Sequence, residues 1–428
     1  METNQENLIS GTCGKNLTWF FNKEDGILTI EGSGEMDSFE HDAPWFEYEI
    51  KKVILPKGLL NISLCAFRYC IELTEIVIPD TVLSINDGAF IKCTALSSVI
   101  ISNNVTSIGE NAFYECVSLA SISIPDSVIS VGQRAFAKCA ALSSVIIGNS
   151  VTSIGADAFS ECHNLTSIII PDSVTSIGEY AFNKCTALSS VTIGDGVKSI
   201  GSRAFSECGS LVSITLPNTI TLIGSFAFSD CEKLTDINIP NSITSIEAGV
   251  FSDCTSLTSI KIPDSVTNIE GAAFGGAFSY CTSLKSIIIP DSVTNIGNSA
   301  FEDCHNLTSI KIPNSVTSIG VFAFRNCSNL TKITIPNNVI IISLQTFALC
   351  TSLVSITIPS GITHVRKRAF AGCKALTSMI SKAVTPPTLG KDVFDEVDKS
   401  IPVFVSKKSL EKYKTAEGWR EFTNIQPI

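Results

Sequence analysis

The chain has 428 residues, a hydrophobic fraction of 44%, a charged fraction of 17% and a formal net charge of −11. That much apolar material supplies a core and excludes a disordered chain. The acidic balance argues against a nucleic-acid groove or an anionic membrane surface as partner, since both need clustered Lys and Arg, and no run of 18 apolar residues is present to insert into a bilayer.

The opening "METNQENLISGTCG" has no basic n-region and no apolar h-region. It therefore reads as an intracellular start, or as one whose native leader has been replaced. Residues 1–9 are expected to be a disordered or vector-derived leader. Residues 10–49 carry Trp19, Phe20, Phe21 and Trp45, a concentration of rings that suits a lid over the first exposed repeat face.

From residue 50 to 385 a 23-residue period takes over. Cys70, Cys93, Cys116, Cys139, Cys162, Cys185, Cys208, Cys231 and Cys254 are 23 apart; after one step of 27, Cys281, Cys304, Cys327, Cys350 and Cys373 resume it. The unit reads L-x-x-I-x-I-P-D/N-x-V-x-x-I-G-x-x-A-F-x-x-C-x-x. In Leu165–Pro171, Ile168 and Ile170 alternate inward around Ile169, as in a half-buried strand. Proline then ends the pairing, V-x-x-I-G makes a second short side, and A-F-x-x-C is expected to form one helical or 3₁₀ turn with Phe182 and Cys185, and likewise Phe205 and Cys208, facing inward. Each repeat is one circuit of a solenoid that buries its face only against its neighbours. The single break, "GAAFGGAFSYC" (271–281), adds four residues. It is expected to add about one helical turn, with Phe274 and Phe278 on one face. Residues 386–428 carry Phe394, Phe404, Tyr413, Trp419 and Phe422 and are expected to close the other end.

The fourteen cysteines of the period read as a packing ladder. None has a second ligand at zinc-site spacing. Equivalent side chains in stacked coils run parallel ~4.8 Å apart, whereas a disulfide needs converging Cβ atoms. Cys13 and Cys65 lie outside the ladder, and Cys65 is the expected exposed thiol. A column of six Asp and six Asn, from Asp80 to Asn337, follows the strand. Calcium is the sharper interpretation; Asx turns bonding their own backbone explain the Asn members as well and are preferred. His163 and His305 lie six repeats apart, His41 lies in the N-terminal cap, and His364 falls in a short outer strand with no obvious carboxylate or nucleophile constellation. No phosphate loop or nucleophile elbow is present. Neither catalysis, nor a cofactor, nor a metal is expected.

The repeat "IPDSVTSIG..AF..C" is similar to that of the BspA-like leucine-rich repeat family, and "GTCGKNLTWFFNKEDGILTIEGSGEM" with "APW" resembles the family's small N-terminal β cap. "TPPTLGKDVFDEV" and "VFVSKKSLEKYKTAEGWREFTNI" resemble its α/β closing segment. The resemblance implies a leucine-rich repeat solenoid with short parallel strands. It also implies a non-catalytic bacterial protein, on the cell surface or secreted, that adheres to a protein or glycan of a host or neighbouring cell. An intracellular interaction scaffold, with a cytoplasmic location, and a glycan-binding accessory module are the alternatives; a monomer is expected. In this class the strand face is the usual ligand surface, which puts Ile146, Ile169, Thr192, Thr215, Asn238, Lys261 and Lys311 forward as contact residues.

Overall fold

The computed structural model describes residues 7–40, 42–272 and 275–428, and the chain divides into two compact units, Met1–Leu222 and Ile223–Ile428. The first unit opens with an antiparallel meander, Leu8–Gly14, Leu17–Asn22 and Ile27–Gly34. Leu8 and Ile9 pair with Asn22 and Phe21, so the strand begins inside the stretch expected to be disordered. Ile27–Gly34 then pairs in parallel with Lys52–Ile54, which turns the chain into the repeats.

Each repeat contributes two short strands. In Ser167–Ile170, Ser190–Ile193 and Ser213–Thr215, the residues Ile168, Val191 and Ile214 face the core while Ile169, Thr192 and Thr215 face out in one register. The pairs Ser84–Ile85, Ser107–Ile108, Ser130–Val131, Ser153–Ile154, Ser176–Ile177 and Ser199–Ile200 form a second parallel sheet.

The third side departs from a regular helical turn. The bonds expected of a 3₁₀ turn are present: Ala181, Asn183 and Cys185 donate to the carbonyls three residues back. The intervening amides of Tyr180, Phe182 and Lys184 instead donate to Ser202, Ala204 and Ser206 of the next turn, at 2.8–2.9 Å. This alternation requires Tyr180 and Lys184 to take left-handed backbone, φ 55° and 59°, and so no helix forms. The corner is zipped to its neighbour much as a strand would be.

Inside this corner Phe182 and Phe205 stack with centroids 5.3 Å apart and rings 6° from parallel. Phe182, Cys185, Phe205 and Cys208 are fully buried. At the N-terminal end of the ring stack Trp45 lies 5.8 Å from Phe67 and donates its indole N–H to the Ala66 carbonyl.

The second unit repeats the pattern. Ser259–Lys261 pairs with Ser286–Ile288, and Lys332–Thr334, Ser355–Ile358, Ser378–Ser381, Pro402–Val405 and Asn424–Pro427 continue a parallel sheet to the C-terminus. The four extra residues are taken up without a helical turn: Gly271–Ala272 and Gly275–Gly276 form a two-residue antiparallel hairpin. Phe274 lies outside the described residues. Phe394 stacks on Phe370 at 5.6 Å, Trp419 and Phe422 set their edges against Phe394, and Tyr413 is buried with its hydroxyl bonded to Ser381 and the Ala383 carbonyl.

Candidate ligand-binding face

The outward side of the first strand column is what the repeat leaves open. Its inward neighbours are core, and its own positions alternate Ser, then a β-branched residue, because only residues that tolerate a pleated, half-solvated surface fit there. Ile146 and Ile169 are 62% and 68% exposed. A shallow groove of about 670 Å³ crosses them and Thr192, rimmed by Asn149, Asp172 and Asp195. A second groove, of about 710 Å³, lies over Ile54 and Val77, rimmed by Lys52, Lys57, Glu75 and Asp80. Ile146, Ile169, Thr192 and Thr215 therefore share one face of the first unit.

The other three residues expected on this face, Asn238, Lys261 and Lys311, belong to the second unit and are exposed. There Lys261 pairs with Ile288, and Ile288 with Lys311, so two ammonium groups flank an isoleucine that is 78% exposed. Lys332 sits beside Ser309 one strand on. Neither Lys332 nor Lys285, directly before Ser286, was among the contact residues expected, because both fall off the I-x-I position that marks the outward row.

At two positions of the polar column the carboxylate does something other than the expected Asx turn. Asp126 Oδ1 accepts the amide of Asn149, and Asp172 Oδ1 that of Asp195, each in the following turn, at 2.7 and 2.8 Å. The cause is close approach: both acceptor turns meet a glycine, Gly148 or Gly194, where most repeats have proline. A Cβ at Gly148 would lie 2.4 Å from the Pro125 carbonyl oxygen, and one at Gly194 2.6 Å from the Asp172 amide. Asp126 and Asp172 are thus rungs between turns. Among the described residues no group of three or more His, Cys, Asp or Glu is arranged to hold a metal ion.

The cysteine ladder carries a hydrogen bond that its spacing did not announce. Cys93, Cys116, Cys139, Cys162, Cys185 and Cys208 each donate the thiol to the carbonyl of the ladder phenylalanine one turn back, at 3.0–3.3 Å. Burial pushes the thiols of Cys139 and Cys185 up to about 12. All sixteen cysteines are free, and Cys65 alone is not buried.

The histidines stay apart from one another. His163 Nδ1 lies 3.0 Å from the Lys184 carbonyl, His305 Nε2 3.2 Å from Asp303, and His364 Nδ1 2.9 Å from the Thr363 hydroxyl; His41 lies outside the described residues. No helix among the described residues is long and apolar enough to cross a membrane.

Three solved structures are similar to the chain. A leucine-rich repeat protein from Bacteroides ovatus shares 24% identity over 97% of this chain and 99% of that one, with a TM-score of 0.55, and shows the same fold. A leucine rich cell surface protein from Faecalibacterium prausnitzii is 28% identical over 98% and 94% of the two chains, with a TM-score of 0.49. A leucine-rich repeat protein from Eubacterium ventriosum is 24% identical over 74% and 95% of the two chains, also at 0.49. No curated protein matches the chain. The model of the BspA type leucine rich repeat region matches residues 44–166, 152–277 and 275–399, and with the parallel solenoid just described this makes the chain a member of the BspA-type leucine-rich repeat family.

Proposed function

We propose that this leucine-rich repeat protein is a non-catalytic adhesin-like binder, displayed on the cell surface or secreted, that holds a macromolecule of a host or neighbouring cell against its outward strand face. The observation that carries this reading is the exposed row Ile146, Ile169, Thr192 and Thr215 with the groove across it. Isolated apolar side chains on a surface need no explanation, but contiguous ones beside a groove suit a docking surface. A stack of identical turns adds many weak contacts in series, which favours an extended ligand. Family membership supports the surface location.

Beads coated with the protein test the reading. Wild-type beads should be retained on epithelial or bacterial cell layers, and beads carrying Ile146→Glu with Ile169→Glu should be retained severalfold less. Equal retention overturns the assignment of this face, and digestion by protease added to intact producing cells checks the location.

A further inference from the structure

We propose that the strand face of the second unit binds an acidic polysaccharide. This rests on the binding reading above and names the ligand class for a different part of the same kind of face. In a chain of net charge −11, this stretch of sheet is basic: Lys261, Lys285, Lys311 and Lys332 are exposed, and among the described residues none of the four makes an ion pair. Asp236, one 23-residue step before Ser259, is the acid in the same outward rows of the repeat; Asp264 and Asp291 stand at the corners beyond. Unpaired ammonium groups gathered on one face raise the local concentration of a polyanion and leave a charge for it to meet.

The spacing chooses among polyanions. Lys261 and Lys311 occupy the same position two strands apart, with Ile288 between them, which sets them ~10 Å apart at parallel-strand spacing. An extended peptide laid along this column repeats its same-side residues every ~7 Å and falls out of step. A polysaccharide with one uronate carboxylate per disaccharide repeats that carboxylate at a longer step, close to two turns of the solenoid. The outward positions from Asp236 to Thr357 carry no aromatic ring, so single-stranded nucleic acid finds no base-stacking platform. Ile288 offers an apolar surface between the charges for the C–H face of a sugar ring.

Binding is measured with the full chain against hyaluronan, chondroitin sulfate, neutral dextran and poly-glutamate. Both acidic glycans should bind and dextran should not. Raising the salt should weaken the complex, and the triple substitution Lys261→Gln, Lys311→Gln, Lys332→Gln should weaken it about tenfold. The charge-matched triple substitution Lys15→Gln, Lys23→Gln, Lys198→Gln, at exposed lysines of the first unit outside the strand face, should bind acidic glycans as wild type does. Unchanged affinity in the triple variant, or equal binding of dextran, overturns the proposal; tighter binding of poly-glutamate reassigns the face to acidic peptides. If glycan binding fails while cell retention persists, the ligand class falls and the binding reading stands.

Discussion

The thiol of Cys185 donates to the carbonyl of Phe159 at 3.2 Å, and the same oxygen accepts the backbone amide of Cys162 at 3.4 Å. One carbonyl thus ties its own corner and the next turn together, and the cysteine that reaches it is fully buried. Replacing Cys185 by Ala removes the bond and a sulfur-sized volume and should cost about 1–2 kcal/mol. Replacing the neighbouring ring, Phe182→Ala, should cost about 3–5 kcal/mol, because it opens the stack on both sides. The urea midpoints of the two variants give the order; an unchanged midpoint for Cys185→Ala contradicts the role of the thiol.

Alkaline pH should loosen the protein. In the folded chain the thiols of Cys70, Cys139, Cys185 and Cys373 are held up to about 12 by burial, against 9.0 in the open chain. Below pH 9 both states keep the proton and the full stability is present. Between 9 and 12 only the unfolded chain ionises, so stability falls as pH rises through that window. Melting temperatures measured from pH 8 to 11 should drop, and Cys185→Ala should drop less steeply. A flat profile contradicts the prediction, and an equal slope in Cys185→Ala rules out that thiol as a source of the drop.

Titration with a thiol reagent should count nearly all sixteen cysteines in denaturant without reductant, and one or two in the native protein, with Cys65 reacting first. Disulfides found by mass spectrometry would sink the ladder.

Calcium should leave the melting curve where it is. Asp126 and Asp172 spend one carboxylate oxygen each on the amide of the next turn, and a calcium site needs several converging oxygens. An upward shift with millimolar calcium, reversed by chelator, would show that the column gathers around an ion.

Removing residues 386–428 should leave a chain that self-associates while keeping its β-rich circular dichroism. Trp419 and Tyr413 are fully buried, and Phe394 is the ring that covers Phe370; without them the last turn presents an open ladder and an open sheet end. A truncated chain that stays monomeric by light scattering refutes the lid.

What repeats was readable; what a single backbone angle decides was not. Phe182 and Cys185 recur in step with their neighbours, so their inward position followed from the period alone. Nothing in the identities of Tyr180 and Lys184 announces left-handed backbone, because the penalty is met by bonds to Ser202 and Ser206, which exist only once the next turn is in place. The direction of Asp172 Oδ1 depends on the approach of Gly194 in the same way. Counting residues made the insertion one helical turn; its three glycines, Gly271, Gly275 and Gly276, instead close a hairpin. Lys332 and Lys285 come near Lys261 and Lys311 only through strand pairing, and a row-by-row reading of the repeat passes over them.

Ile177 pairs with Ile154 behind it and Ile200 ahead in the same register. DNA that encodes such turns is itself repetitive, so unequal crossing-over between two copies inserts or deletes a whole number of them. The product closes again on partners of the same kind, with no new contact to invent. The length of the exposed face is therefore open to change in one genetic step, and lineages carrying this gene can differ in reach before any single side chain has been altered.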